Sequence, residues 1–257
     1  MSRVGAGGTN IEAAAPVGGK PELRILLIAP SGVGKRMLGA VIAAHFNIPH
    51  IAMGALLRDH VARRTDLGRV AQGHLGRREL VPDEVVLDLA RRELTAARAG
   101  GEYLLEGIPR TLYQAREGYQ IALGLGMTAN IALHLNVDDE KLIRRLLARA
   151  AFERCQDTED VVRDWLELYH RATKPLVAWY RQRGILVCAD AMRPTIQVGR
   201  EIIAALEAMR PLVDHVPEQL RQPVDLTGVG AEFGTSADSA RQSGNPATKS
   251  APACWRG

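Results

Sequence analysis

Lys35 is the residue whose setting first points to chemistry. It closes the stretch Arg24-Ile-Leu-Leu-Ile-Ala-Pro-Ser-Gly-Val-Gly-Lys35, in which the apolar run Ile25 to Ala29 precedes a proline, a serine and two glycines. Such a run reads as a strand buried on both faces, because a parallel strand covered by helices needs no polar alternation. Ser31, Gly32, Val33 and Gly34 then form a turn whose backbone N–H groups point inward, and a helical pattern begins at Lys35. Strand, glycine-bearing turn, lysine and helix make a cradle for phosphate. The helix N-terminus adds about half a positive charge, and the lysine reaches the terminal phosphates. Against the pattern G-x-x-x-x-G-K-[ST], Ala29 takes the place of the first glycine and Arg36 that of the hydroxyl.

The elements that must position this loop follow from the rest of the chain. After the first helix, Pro49 breaks the pattern and His50 to Met53 reads as a strand end. Gly54 opens an amphipathic run, and the polar stretch Thr65 to Arg78, with Gly68, Gly73 and Gly76, reads as a short helix with loops. Val81-Pro82-Asp83-Glu84 starts a helix whose Val86, Ala90 and Leu94 recur four apart. Strands are expected at Tyr103 to Leu105, Asn130 to Val137 and Ile185 to Ala189, with helices from Thr111, from Asp138, across Asp157 to Arg183, and from Pro194 to Arg210. Alternating strands and helices imply an α/β fold with a parallel sheet covered on both faces. Residues 1–20 read as a disordered leader and 211–257 as a disordered tail, since both are rich in small and polar residues without periodicity.

Composition narrows the class. The net charge of +4 is mild, and no long basic stripe suggests a nucleic-acid groove. Cys155, Cys188 and Cys254 have neither metal-ligand spacing nor a disulfide framework, which fits a reducing cytoplasm. No run reaches the roughly 18 apolar residues that a membrane span needs.

Several stretches, in order and at compatible spacing, resemble the adenylate kinase family of nucleoside monophosphate kinases. The strongest is Leu104-Leu-Glu106-Gly-Ile-Pro-Arg110-Thr-Leu-Tyr-Gln114-Ala115, with Glu106 for the usual aspartate and Ile108 for the phenylalanine. His50 to Arg58, Glu79 to Glu84, and Asp139 to Arg149 followed by Arg154 are similar to further family segments. The resemblance implies a five-stranded parallel sheet of the P-loop NTPase type over residues 21–210. It places a monophosphate-binding insert at about 52–82 and a short lid at about 149–155 without room for zinc. It implies transfer of the terminal phosphoryl of ATP to AMP, with Mg²⁺ accompanying the ATP. The substrates are small nucleotides, with no nucleic-acid or membrane partner, and the protein is expected to be a cytoplasmic monomer.

By the same resemblance Lys35, Arg110, Arg149 and Arg154 are catalytic. Ser31, Gly32, Val33, Gly34, Lys35, Arg36, Arg145 and Arg149 bind ATP. Arg58, Glu79, Val81, Gly107, Arg110 and Gln114 bind AMP. A guanidinium suits bidentate phosphate contact, and the Gln114 amide suits the adenine edge. No direct metal ligand is expected, and Glu106 would serve Mg²⁺ through water. The chain departs from the family at Ala29, Arg36, Met37, Met53, Ala55, Gln156 and Trp165, positions tied to Mg²⁺ and transition-state charge. Two readings stay open: a kinase of reduced turnover, and an impaired relative acting as a nucleotide sensor or partner-binding module.

Overall fold

The computed structural model describes residues 22–76, 81–152 and 158–210. Strand β1 (Arg24–Ile28) leads through the glycine turn into α1 (Lys35–Phe46). Strand β2 (His50–Ala52) passes directly into α2 (Met53–Ala62), followed by α3 (Asp66–Gly76) and α4 (Asp83–Ala97). Then come β3 (Tyr103–Glu106), α5 (Leu112–Leu125), β4 (Ile131–Asn136), α6 (Asp139–Phe152), α7 (Glu159–Gln182), β5 (Leu186–Asp190) and α8 (Thr195–Met209).

All strand pairs are parallel, in the order β2-β3-β1-β4-β5. The first strand in sequence thus lies in the middle, with Leu27 opposite Glu106 on one side and Leu133 on the other. The loops after β1 and β3, which carry Lys35 and Arg110, therefore leave the sheet side by side. A crevice at the carboxyl ends of such strands is where open α/β sheets bind ligands.

Alternation along the strands builds a core on each face. Leu26, Ile28, Tyr103, Leu105 and Ala132 face the layer containing α4 and α5. Ile25, Leu27, Leu104, Ile131 and Leu133 face that containing α1, α6 and α8. Complete burial of a side chain such as Ile25 or Leu104 contributes about 1.5–3 kcal/mol, so the central strands anchor the fold. Helix α7 serves both layers, with Val162 and Leu166 in the second and Leu176, Trp179 and Tyr180 in the first.

The opposite, N-terminal edge of the sheet is clasped by polar side chains. Asn130 Oδ1 accepts from the Arg24 backbone N–H at 2.9 Å, while its Nδ2 donates to the Glu22 carbonyl at 2.7 Å. Arg24 Nε donates to the Gly101 carbonyl at 2.7 Å, and Glu102 accepts from the Leu23 N–H and from Arg210.

The expected α/β class and parallel sheet are present. Two local readings change. Met53 opens α2 instead of ending β2; its side chain is 1% exposed, and the turn begins at the extended residue Ala52. The stretch expected to be a short helix with loops holds one continuous helix, α3, despite its glycines. At Gly68 a Cβ would lie 2.0 Å from the His60 carbonyl oxygen, so this glycine marks the close approach of α3 to α2 rather than a loop. The leader, the tail, Glu79, Arg154 and Gln156 lie outside the described residues, as does the lid beyond Phe152.

Candidate active site

The loop between β1 and α1 depends on two glycines in the left-handed region, Gly32 at φ 89° and Gly34 at φ 83°. A Cβ on Gly32 would also come within 2.5 Å of Leu146 Cδ2. At Gly34, a Cβ would face Thr195 Oγ1 at 3.6 Å and Arg145 Nη2 at 3.8 Å, so its bare Cα opens onto α6 and α8. Val33 is buried and anchors the turn in the core, and Ala29 packs against the same cluster. Lys35 Nζ donates to Ser31 Oγ at 3.5 Å, which aims the ammonium back over the turn.

Lys35, Arg58, Arg110 and Glu106 share one electrostatic field. Burial lowers the Lys35 pKa to about 8, Arg110 and Arg58 push the same way, and Glu106 opposes them. Burial likewise lowers the Arg58 pKa, helped by Arg36 and opposed by Glu106. Arg110 is lowered by surrounding protein, against Glu106 and Tyr169, although its side chain also opens to solvent. These cations share one carboxylate. Like charges held together disfavour their charged forms, and an anion entering the cleft relieves that cost.

The geometry on the β3 side is tightly specified. Glu106 is 7% exposed, and its Oε2 lies 3.0 Å from His50 Nε2. Gly107 has φ 93°, and its carbonyl accepts from Arg110 Nε at 3.0 Å. Thr111 caps α5, its hydroxyl accepting from the Gln114 N–H at 3.1 Å. Gln114 is 4% exposed, with Oε1 accepting from the Arg110 N–H at 2.7 Å and Nε2 donating to Asp83 Oδ1 at 2.6 Å. One Nε2 hydrogen is left for any further acceptor. Val81 buries its side chain just before α4, so what it offers a ligand is backbone.

The structure therefore brings Ser31, Gly32, Val33, Gly34 and Lys35 near Arg36, Arg58, Gly107, Arg110 and Gln114 at the carboxyl ends of β1 and β3. Arg145 joins them at Gly34, and Arg149 lies one turn further along α6, exposed. Met37 is 61% exposed, and Ala55 is half-buried in α2. Trp165 stacks on Tyr169 with ring centroids 5.6 Å apart, and Tyr169 in turn is close enough to Arg110 for their charges to interact. Sequence reasoning missed His50, Asp83, Tyr169 and Thr195. Only the acid at the start of α4 was visible, and then only as a helix-capping charge.

Comparison with known proteins identifies the family. The adenylate kinase family profile matches residues 27–185. The adenylate kinase of Thermobifida fusca is 36% identical over 187 residues, covering 72% of this chain and 99% of the relative. That of Kocuria rhizophila is 38% identical over 185 residues, covering 72% and 98%. That of Acidothermus cellulolyticus is 34% identical over 212 residues, again covering 72% and 98%. The chain belongs to the adenylate kinase family and is a nucleotide phosphotransferase.

Proposed function

We propose that this protein transfers the terminal phosphoryl group of ATP to AMP, reversibly and with reduced turnover. The observation that carries the reading is the shared field of Lys35, Arg58 and Arg110 around a single carboxylate. In this assignment the turn Ser31–Gly34 and Lys35 cradle the donor phosphates, with Arg36, Arg145 and Arg149 on the donor side. Arg58, Arg110 and the Gly107 backbone hold the acceptor monophosphate, while Gln114 and the backbone of Glu79 and Val81 border its base. Arg149 and Arg154 join Lys35 and Arg110 in neutralising the moving phosphoryl group. Catalysis of this kind is positioning and charge stabilisation more than covalent chemistry.

The donor set suits Mg²⁺ only through water. Among the described residues Glu106 is the one carboxylate of the cation cluster, and Arg36 and Met37 follow Lys35 where the family has a glycine and a threonine. Mg²⁺ keeps several waters and binds substrate phosphates, so Glu106 would hold one of those waters. When bound, the ion neutralises charge on the donor phosphates. The same residues are read as those of a cytoplasmic monomer. No described helix is long and apolar enough to cross a membrane.

A second reading, a nucleotide sensor without useful turnover, is favoured by Met37 and by the Trp165–Tyr169 stack at a position where the family has an arginine. A coupled ADP-formation assay on the purified chain separates the two. Mg²⁺-dependent ADP formation that falls about 10²–10³-fold in Lys35→Ala supports the kinase. Equal rates in both proteins overturn it, and tight binding of a bisubstrate dinucleotide without turnover establishes the sensor.

A further inference from the structure

A second cavity, of about 50 Å³, lies between β3, α4, α5 and α7. None of Lys35, Arg58 and Arg110 lines it. Its wall is nearly all apolar, from residues such as Leu94, Leu105, Ala122 and Ile185, and among the described residues no carboxylate contributes. Arg183, which caps the C-terminus of α7, lines it as well and is only 4% exposed. Its guanidinium carbon sits 4.0 Å from the Tyr119 ring centroid and 4.3 Å from that of Trp179. Among the described residues Arg183 Nη2 is buried without a hydrogen-bond partner, and so is the hydroxyl of Tyr119, which lines the same cavity.

This is an unusual set of atoms to bury together. A charge removed from water is costly unless paired. The faces of Tyr119 and Trp179 offset part of that cost through cation–π attraction, but they supply no acceptor for a directed N–H. The hydroxyl of Tyr119 is a second donor on the same wall. Gln114, whose side-chain amide also lines the cavity, already uses its oxygen on Arg110 and one N–H on Asp83. Two donors, one positive charge and no negative one call for an acceptor that carries charge. A space of this size holds one to a few small species, since a water needs about 10–15 Å³ on this measure. Water meets the hydrogen-bonding demand but not the charge.

We propose that the cavity binds a small monovalent anion of halide size, held by Arg183 Nη2 and the Tyr119 hydroxyl. The anion ties the end of α7 to α5, the helix that begins next to Arg110. The site is independent of the phosphoryl-transfer reading and stands or falls separately from it.

Thermal unfolding of the nucleotide-free full chain in sodium chloride and in sodium gluconate, at matched ionic strength, tests the site. Chloride is expected to raise Tm saturably by about 2–4 °C over gluconate. Arg183→Met and Tyr119→Phe should each abolish or weaken this difference, whereas Lys35→Ala should keep it, which separates the cavity from the phosphate cradle. Crystals of the unaltered protein soaked in bromide give a reading that needs no variant: an anomalous peak beside Arg183 Nη2 is expected. Identical chloride and gluconate curves, a chloride effect lost in Lys35→Ala, or water without bromide in the cavity would each overturn the proposal.

Discussion

His50 Nε2 meets Glu106 Oε2 at 3.0 Å, joining the first residue of β2 to the last residue of β3 beneath the cation cluster. The contact fixes the one carboxylate that balances Lys35, Arg58 and Arg110. It also explains why α1 carries Gly39 below the site: a Cβ there would lie 2.7 Å from the same imidazole nitrogen. His50→Ala should lower kcat about 10-fold, as loss of an orienting partner does at other ion sites. It should also move the Mg²⁺ dependence to higher concentration, with KM for AMP little altered and partial rescue by His50→Gln. An unchanged Mg²⁺ midpoint would show that His50 does not position Glu106 for the ion.

The lowered pKa of Lys35 makes a signed prediction about pH. Its folded value is about 8 against the ordinary 10.5. Between those values the unfolded chain holds more protons, so stability rises with pH across that window, and below pH 8 the folded protein carries the charge at a cost. Lys35→Met should therefore stabilise the nucleotide-free protein at pH 7 by on the order of 1–3 kcal/mol, read as a higher Tm. The advantage should vanish by about pH 10.5. Turnover should show the opposite sense, with kcat/KM falling as pH rises past about 8, because phosphate needs the charged lysine. A variant no more stable than the parent at pH 7 would contradict the strained ammonium.

Met37 offers a gain-of-function test. The side chain is 61% exposed, so replacing it removes no core packing. By the adenylate kinase resemblance Met37 stands where the family has a threonine that helps organise Mg²⁺, so Met37→Thr restores that hydroxyl and should raise Mg²⁺-dependent turnover about 10-fold, a modest share of what one electrostatic stabiliser supplies. Stability should move by less than about 0.5 kcal/mol. Stopped assays at saturating nucleotide would detect the rise, and its absence would place the limiting loss elsewhere, at Ala55 or Trp165.

Gln114 is expected to act on the acceptor side. Removing its amide leaves the Arg110 N–H and Asp83 Oδ1 without a partner in a site where Gln114 itself is 4% exposed. Gln114→Ala should cost about 1–3 kcal/mol in chemical unfolding and raise KM for AMP more than it lowers kcat. Asp83→Asn keeps an acceptor for Nε2 and should stay near the parent in both respects. Equal losses in the two variants would assign the effect to the charge of Asp83 instead.

The strand–turn–lysine layout was readable because the apolar run from Ile25 and the glycines at Gly32 and Gly34 state their roles locally. The arginine and the amide of the Arg110 segment were readable by resemblance. What escaped were relationships between distant residues. His50 and Glu106 are far apart in sequence and meet only because β2 and β3 pair in register. The three glycines of α3 look like loop signals until Gly68 is seen against the backbone of α2. Met53 belongs to a helix because burial in the first turn of α2 overrides its place at the end of an apolar strand.

The side-chain clasp around Asn130 gives the protein a division of labour. Glu22, Arg24, Gly101, Glu102 and Asn130 lock the starts of β1, β3 and β4, while the loops that bear Lys35 and Arg110 issue from the other ends of β1 and β3. Changes in the nucleotide loops are thereby insulated from the part of the sheet that secures its registration. Such insulation lets a phosphate loop drift as far as Arg36 and Met37 while the scaffold beneath it stays intact.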